Sequence, residues 1–180
     1  MPVWNLVLSG YPGSGKSVLA RRIVTDHSNF MRLSVDEIRL MFFGSTQPSA
    51  HEEFVYNCLA ALRDLALRSG YSVILDCTAP TNTTREFLLN TKVERAVRLV
   101  IQMVVDKKEV EKRNRERGIA GAVEAWDRTW QPPTSGMPVM KFRNDDNNSF
   151  ETSYYLLTEL LRSRMNPYRR RFLGNIFPRI

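Results

Sequence analysis

The chain is poor in the residues that build disulfide frameworks, metal sites and membrane spans. Its 180 residues include only two cysteines, Cys58 and Cys77, and two histidines, His27 and His51. Two cysteines make no disulfide framework, the histidines have no second ligand at zinc spacing, and no apolar run is long enough to cross a bilayer. A strand-like run begins at residue 3, which leaves no room for a signal peptide. We therefore expect a reduced, cytoplasmic protein with no membrane partner.

Acidic residues are also missing from residues 162–180, where six arginines lie. The formal net charge of the whole chain is +7, and nearly all of this excess belongs to that segment. We expect one compact domain over residues 1–165 and a basic tail over residues 166–180. Arginines interleaved with aromatic residues can bind a phosphate backbone and stack on bases. The same segment can equally be a docked terminus whose arginines face water.

The strongest motif is GYPGSGKS, which lies between a strand-like run and a helical pattern. Its spacing is that of a phosphate-binding P-loop, in which glycines let backbone N–H groups point at phosphate oxygens and the next helix adds its positive dipole end. Lys16 would reach the β- and γ-phosphates of a nucleoside triphosphate, and the Ser17 hydroxyl would bind Mg²⁺. The residues predicted to hold the nucleotide are Gly10, Pro12, Gly13, Ser14, Gly15, Lys16 and Ser17.

Strand-like apolar runs alternate with helical patterns along the rest of the chain. This alternation predicts an α/β fold with about five parallel strands and helices on both faces of the sheet. One long helix is expected to present Phe54, Cys58, Leu62 and Leu65 on one face. The predicted strands span residues 3–9, 30–35, 72–76, 97–104 and 138–143. The predicted helices span residues 16–26, a short segment from 36 or 37, 51–69, 83–95, 107–117, 122–130 and 149–165.

Asp36 and Arg39 follow the second predicted strand, in the sequence SVDEIR. Ligands of parallel α/β sheets bind outside the carboxyl ends of the strands, so both residues are candidates for the site. Asp36 can accept the proton of an attacking hydroxyl, and Arg39 can clamp an anionic group of the acceptor. The alternative is structural, because Ser34 with Glu37 forms a capping-box pattern and Asp36 is itself a good N-cap.

Asp76 ends the third predicted strand, in VILDCT. A carboxylate at this position beside a P-loop can hold Mg²⁺ through water or orient Arg39. A structural aspartate that accepts hydrogen bonds from loop N–H groups is the alternative. The hydroxyl-rich loop that follows is a candidate lining of the acceptor pocket, and Thr83 is a candidate cap of the next helix.

Arg113 and Arg117 lie four residues apart in the charged segment EKRNRERG. This spacing places both on one helix face, where they can stabilise charge on a transferring phosphoryl group. Asp106 is expected to cap this helix and Gly118 to end it. The alternative is a solvated helix with ion pairs four residues apart, such as Glu109 with Arg113.

The order GYPGSGKS, SVDEIR, VILDCT and EKRNRERG resembles the 5′-hydroxyl polynucleotide kinase family of phage and bacterial nucleic-acid repair, over about residues 3–120. The resemblance implies a P-loop kinase fold with an arginine-bearing lid, ATP as donor and Mg²⁺ as cofactor. It also implies that Asp36 is the general base, Arg39 the acceptor-phosphate clamp and Asp76 the carboxylate that orients this clamp. Arg117, with Arg113, is then the lid arginine on the donor phosphates.

The resemblance predicts transfer of a γ-phosphoryl group to a nucleic-acid hydroxyl, with a polynucleotide 5′-OH end as the leading acceptor. The same motif order is similar to seryl-tRNA kinases and to kinases of hydroxymethylated DNA bases, and small-molecule kinases and phosphotransferases share the P-loop and the aspartate. Residues from Gly121 onward match no pattern of the family. A nucleotide-gated nucleic-acid-binding protein, in which ATP only changes the shape of the molecule, is the alternative from another class.

Overall fold

The computed structural model describes residues 2–119 and 121–165, with the side chains of 164 and 165 left out. Its centre is a five-stranded sheet in the order β2-β3-β1-β4-β5, and every neighbouring pair is parallel. The α/β fold with five parallel strands is therefore confirmed. The strands are β1 (Val3–Ser9), β2 (Phe30–Ser34), β3 (Ser72–Asp76), β4 (Ala96–Val104) and β5 (Val139–Arg143).

Helices connect the strands as the alternating pattern predicts. The helix after β3 is shorter than expected: it ends at Leu89 because the carbonyls of Leu88 and Leu89 accept hydrogen bonds from Asn5, and a bent segment leads into β4. Its N-cap is Thr81 rather than Thr83. The helices are α1 (Lys16–Asp26), α2 (Val35–Phe43), α3 (Glu52–Arg68), α4 (Asn82–Leu89), α5 (Lys107–Glu116), α6 (Ala122–Thr129) and α7 (Asn147–Met165).

The two faces of the sheet have separate apolar cores. On β1, Trp4, Leu6 and Leu8 pack under α1 and α7, whereas Val3 and Val7 pack under α2, α3 and α4. This alternation follows from the two-residue period of a strand. The strands run between these two cores. Their carboxyl ends and the loops that follow them form the edge of the sheet where the site is expected.

The long helix α3 turns its expected apolar face toward water. Val55, Leu59 and Leu67 are buried against the sheet, whereas Phe54, Leu62 and Leu65 are 47%, 39% and 58% exposed. Both faces of this helix carry apolar residues, so the periodicity alone did not indicate which face is buried.

The described helices also bear on the membrane question. Within residues 2–119 and 121–165, none combines the length and apolar character needed to cross a bilayer. The basic segment 166–180 lies outside the described residues.

Candidate active site

The P-loop connects β1 to α1 at the carboxyl edge of the sheet. Gly13 and Gly15 have φ values of 83° and 92°, a region that L side chains rarely adopt. A Cβ at Gly15 would lie 2.2 Å from Nδ2 of Asn144, and one at Gly13 would lie 2.7 Å from Oδ1 of Asn114. The loop therefore needs glycine at these positions for both its conformation and its close neighbours.

Two asparagines bind the P-loop carbonyls from outside. Nδ2 of Asn114, on α5, donates to the carbonyl of Pro12 at 2.9 Å. Nδ2 of Asn144, directly after β5, donates to the carbonyl of Ser14 at 2.8 Å. Ser14 donates its own N–H to the carbonyl of Tyr11, whereas the N–H groups of Gly13 and Gly15 have no hydrogen-bond partner among the described residues, which fits the triphosphate that the motif predicts.

Lys16 is buried at the start of α1, and its Nζ donates to the carbonyls of Gly10 and Tyr11 at 2.9 and 2.6 Å. Burial lowers the pKa of Lys16 from its ordinary value to about 8, while the charges of Asp76 and Asp36 raise it and that of Arg117 lowers it. Asp36, Asp76 and Arg117 therefore all lie close enough to Lys16 to act on its charge. Their convergence agrees with a single site at the strand ends.

Ser17 and Asp76 meet below the P-loop, where the Ser17 hydroxyl donates to Oδ1 of Asp76 at 3.2 Å. A hydroxyl and a carboxylate oxygen at this separation are hard ligands that suit Mg²⁺, which takes its other ligands from water and phosphates. The other oxygen, Oδ2 of Asp76, accepts from Nε and Nη2 of Arg32 at 2.9 and 2.7 Å. The residues therefore fit a Mg²⁺ ion beside the phosphates.

Asp76 does not orient Arg39, as the resemblance implied, because Arg32 occupies its carboxylate. Arg32 lies on β2, next to β3, and the register places it beside Ile74 so that its side chain extends along the strands to Asp76. Its guanidinium also contacts Glu37. The resemblance assigned the orientation of Arg39 to Asp76, but in the structure another residue holds Arg39.

Arg39 is instead held by Glu52, the first residue of α3. Nε and Nη2 of Arg39 donate to the two carboxylate oxygens of Glu52 at 2.9 and 2.5 Å, and Nη1 donates to Oδ1 of Asp36 at 2.7 Å. These hydrogen bonds from Arg39 lower the pKa of Glu52 below its ordinary value. The bidentate pair fixes Arg39, and Arg39 in turn fixes the carboxylate of Asp36.

Asp36 is free of the capping role that the sequence left open. The N-cap of α2 is Ser34, whose hydroxyl accepts a hydrogen bond from the backbone N–H of Glu37. The side chain of Asp36 is 67% exposed, whereas that of Arg39 is 10% exposed. An accessible carboxylate, anchored from behind by a buried arginine, is suitably placed to accept a proton from an incoming hydroxyl.

Arg113 and Arg117 both line a cleft of about 620 Å³ beside the P-loop, together with Gly13, Gly15 and Asn144. Asp106 caps α5 and Gly118 follows its end with a positive φ, as expected. Arg113 is paired with Glu109 at 2.9 Å and donates to the carbonyls of 144 and 145. The guanidinium of Arg117 has no ion pair or hydrogen bond to any residue the structure describes, and only its backbone N–H is bonded, to the carbonyl of Asn114. The two arginines thus share one cleft, but only Arg117 has its donors free.

The sequence reading missed four residues of this site: Arg32, Glu52, Asn114 and Asn144. Asn144 follows a strand at the carboxyl edge, a position that indicates a ligand contact in such sheets. Asn114 lies inside the charged segment EKRNRERG, where the pattern of charges predicts an anion site but gives no signal for a neutral amide. Glu52 and Arg32 gave no signal, because their partners come from elements whose packing the sequence does not specify.

The family of the chain follows from its sequence match. A family model described as AAA domain matches residues 6–132, which is most of the chain. The chain therefore belongs to this family. No curated protein matches it.

Solved structures identify the fold as that of the P-loop kinases. A sugar kinase from a Janibacter species superposes with a TM-score of 0.67 at 17% identity, over 87% of this chain and 95% of that one. The Mycobacterium tuberculosis APS kinase CysC, solved with AMPPNP and APS, superposes with a TM-score of 0.67 at 18% identity, over 89% of this chain and 99% of that one.

A third structure, of a Pnkp1/Rnl/Hen1 complex, is 30% identical with a TM-score of 0.57. The match covers 62% of this chain and 39% of that one, so this chain spans less than half of that protein. Together the family, the fold and the site support a nucleotide-binding phosphotransferase of the P-loop kinase type.

Proposed function

We propose that the protein transfers the γ-phosphoryl group of ATP to a hydroxyl of a nucleic acid, with a polynucleotide 5′-OH end as the acceptor. The observation that carries the proposal is the exposed carboxylate of Asp36, anchored by Arg39 and Glu52 at the strand end that faces the P-loop. A protein that only binds and releases nucleotide has no need of a fixed proton acceptor there.

In this mechanism the chain's own residues divide into a donor set and an acceptor set. Gly10, Gly13, Gly15 and Lys16 hold the phosphates, and Ser17 with Asp76 would hold Mg²⁺, which supplies charge neutralisation between the phosphates. Asp36 accepts the hydroxyl proton as the acceptor oxygen bonds to the γ-phosphorus, and the bond from that phosphorus to the bridging oxygen breaks in line to release ADP. Arg117, with Arg113 behind it, stabilises charge on the phosphoryl group from the lid side.

The nucleic-acid acceptor is supported by the sequence resemblance and by the 30% identity to the Pnkp1/Rnl/Hen1 structure. The six arginines between Arg162 and Arg179 provide a cationic segment of the kind that binds a phosphate backbone. Deletion of residues 166–180 is expected to weaken oligonucleotide binding and flatten its dependence on salt. An unchanged salt slope would remove the tail from the proposal while leaving the kinase site intact.

One observation favours a small-molecule acceptor. Around Asp36 the structure places four carboxylates, of Asp36, Glu37, Glu52 and Asp76, against two guanidinium groups, of Arg32 and Arg39. Every guanidinium nitrogen of Arg39 already donates to a protein oxygen. A neutral polyol hydroxyl meets less electrostatic repulsion in such a site than an acceptor with several phosphates.

The experiment that separates these acceptors offers γ-labelled ATP with one acceptor at a time. The panel contains 5′-OH DNA and RNA oligonucleotides, DNA with hydroxymethylated bases, seryl-tRNA, free nucleosides and simple sugars. We expect the label at the 5′ end of an oligonucleotide, and the Asp36→Asn variant as control should give almost none. Label only in nucleosides or sugars would replace the nucleic-acid acceptor, and label in none, with ATP bound, would favour the nucleotide-gated binder.

A further inference from the structure

The exposed face of α3 is unusually apolar for a surface that contacts only water. Phe54, Leu62 and Leu65 are at least 39% exposed, and Cys58, half-buried against the core, lies between them at helical spacing. The patch continues onto α2, where the ring of Phe42 meets that of Phe54 edge to face at 5.2 Å and Met41 is 67% exposed. Continuous exposed apolar surface of this kind marks a contact with another molecule.

Charged side chains are placed at the two ends of this stripe and not along it. Glu53 is exposed in the first turn of α3, and Arg68 is exposed in its last turn. Between them the exposed residues of this face are uncharged, including Asn57 and the small Ala61. A polyanion such as a nucleic acid would find arginines only at one end, Arg68 and the adjoining Arg95, and a competing acid at the other end, which is unfavourable for phosphate binding along the stripe.

The same arrangement is complementary to itself when one helix is reversed. Glu53 with Arg68, Phe54 with Leu65, and Cys58 with Leu62 are three pairs whose midpoints all lie between Leu59 and Ala61. If a second α3 lies antiparallel across this midpoint, each apolar residue faces an apolar residue. Glu53 and Arg68 lie on the same flank of the stripe, so each acid then meets the partner helix's base, twice by symmetry.

We propose that this stripe is the contact between two copies of the chain, related by a two-fold axis near Ala60 and Ala61. Small side chains at the axis let the helices approach to the 8–10 Å typical of packed pairs. An isologous contact of this kind buries the stripe and the α2 extension together. The contact lies on the side of α3 that faces away from the sheet and uses none of the proposed acceptor-site residues, so the inference does not depend on the proposed acceptor.

The first test measures mass against concentration by light scattering and sedimentation. We expect a dimer whose dissociation constant rises more than about 100-fold in Leu65→Glu, because the change would bury an unpaired charge at the contact. Tyr155→Glu is the matched control, since Tyr155 is exposed on α7 on the opposite face of the sheet and should leave the dimer unchanged. A chain that stays monomeric at all concentrations, or a dimer equally unaffected by Leu65→Glu, would overturn the proposal.

The second test exchanges the charges of Glu53 and Arg68, singly and together. Its result comes from a comparison of three variants, so it does not depend on the folding of any single one. Glu53→Arg alone and Arg68→Glu alone are each expected to weaken the dimer about tenfold, and the double exchange is expected to restore it to within about threefold. Additive weakening in the double variant would mean that the two side chains do not meet across the axis. Circular dichroism of all three variants checks that α3 remains folded.

The third test places a thiol at the axis. In a Cys58→Ser background, Ala61→Cys should be joined to its symmetry mate by a short bismaleimide, because the helices approach to about 8–10 Å there. Tyr155→Cys in the same background should remain uncrosslinked. If the chain stays monomeric, gives no crosslink at position 61 and binds another protein through this stripe, the surface belongs to a different partner and the dimer is rejected.

Discussion

On the donor side of the cleft the backbone makes the site, whereas on the acceptor side ion pairs between side chains make it. The P-loop offers N–H groups fixed by glycine conformations and by two asparagines on its carbonyls. Asp36 depends on Arg39, and Arg39 depends on Glu52. A backbone site is specified by a short local motif, whereas a chain of ion pairs needs residues from separate helices. The residues of the donor side can therefore be predicted from a local motif, whereas the pairings of the acceptor side cannot.

Removal of the acceptor-side carboxylate should have the largest effect. Asp36→Asn keeps the shape of the side chain but cannot accept a proton, so kcat should fall about 10²- to 10⁴-fold while the dissociation constant for ATP stays the same. Glu37→Gln removes the same charge from the same helical turn but affects only the contact with Arg32, so kcat should fall far less than in Asp36→Asn. If both variants lost kcat equally, the negative charge of this region would support the reaction and Asp36 would not act as a specific proton acceptor.

On the donor side, Arg117→Ala should lower kcat about 10²-fold, because a free guanidinium that faces the cleft stabilises charge only while phosphate is transferred. Arg115→Ala, on the same helix but outside the cleft, is the matched control. Rapid-quench measurement of the transfer step makes the comparison. A loss confined to the KM for ATP would assign Arg117 to ground-state binding.

Glu52→Gln tests the link between Arg39 and Asp36. Loss of the bidentate partner should lower kcat about tenfold, in the range seen when a residue behind a functional group is changed. Glu53→Gln, adjacent but exposed, is the control. An increase in the acceptor KM with kcat unchanged would instead mean that Arg39 binds the acceptor directly, as the family resemblance implies.

The smallest expected effect is a pH dependence of ATP binding, which comes from Lys16 on the donor side. Burial lowers the pKa of Lys16 to about 8, and phosphates bind its protonated form. The affinity of the free protein for ATP should therefore be full below this pH and fall by up to tenfold per unit as pH rises through it. Calorimetric titration between pH 6.5 and 8.5 measures the effect, a loss of about fourfold over this range, and Lys16→Arg should remove the dependence because arginine stays protonated. A flat wild-type profile would contradict the shift.

The fold was predictable because parallel α/β sheets have strong local signals. Apolar strands such as Val3–Ser9 are continuous, and the P-loop fixes where β1 ends and α1 begins. The exposed stripe of α3 was not predictable, since this helix has two apolar faces and only tertiary packing selects one. The pairing of Asp76 was equally hidden, because strand register, not sequence spacing, brings Arg32 to it.

For the candidate site, the residue types were predictable and their partners were not. The motifs identified Lys16, Ser17, Asp36 and Asp76, and the structure brings them to one edge of the sheet. Their positions follow from strand ends, which alternation predicts. The residues that hold them, Glu52 above all, come from the start of another helix, and no local pattern links the two.

The hydrogen bond from Asn114 to the carbonyl of Pro12 has a consequence for motion. It joins the phosphate loop to the same helix that carries Arg113 and leads to Arg117. We expect that a lid on this helix, as the resemblance implies, would have to break this hydrogen bond to open, which would loosen the phosphate loop at the same time. Opening to release the spent nucleotide and loosening of the phosphate grip would then be the same event.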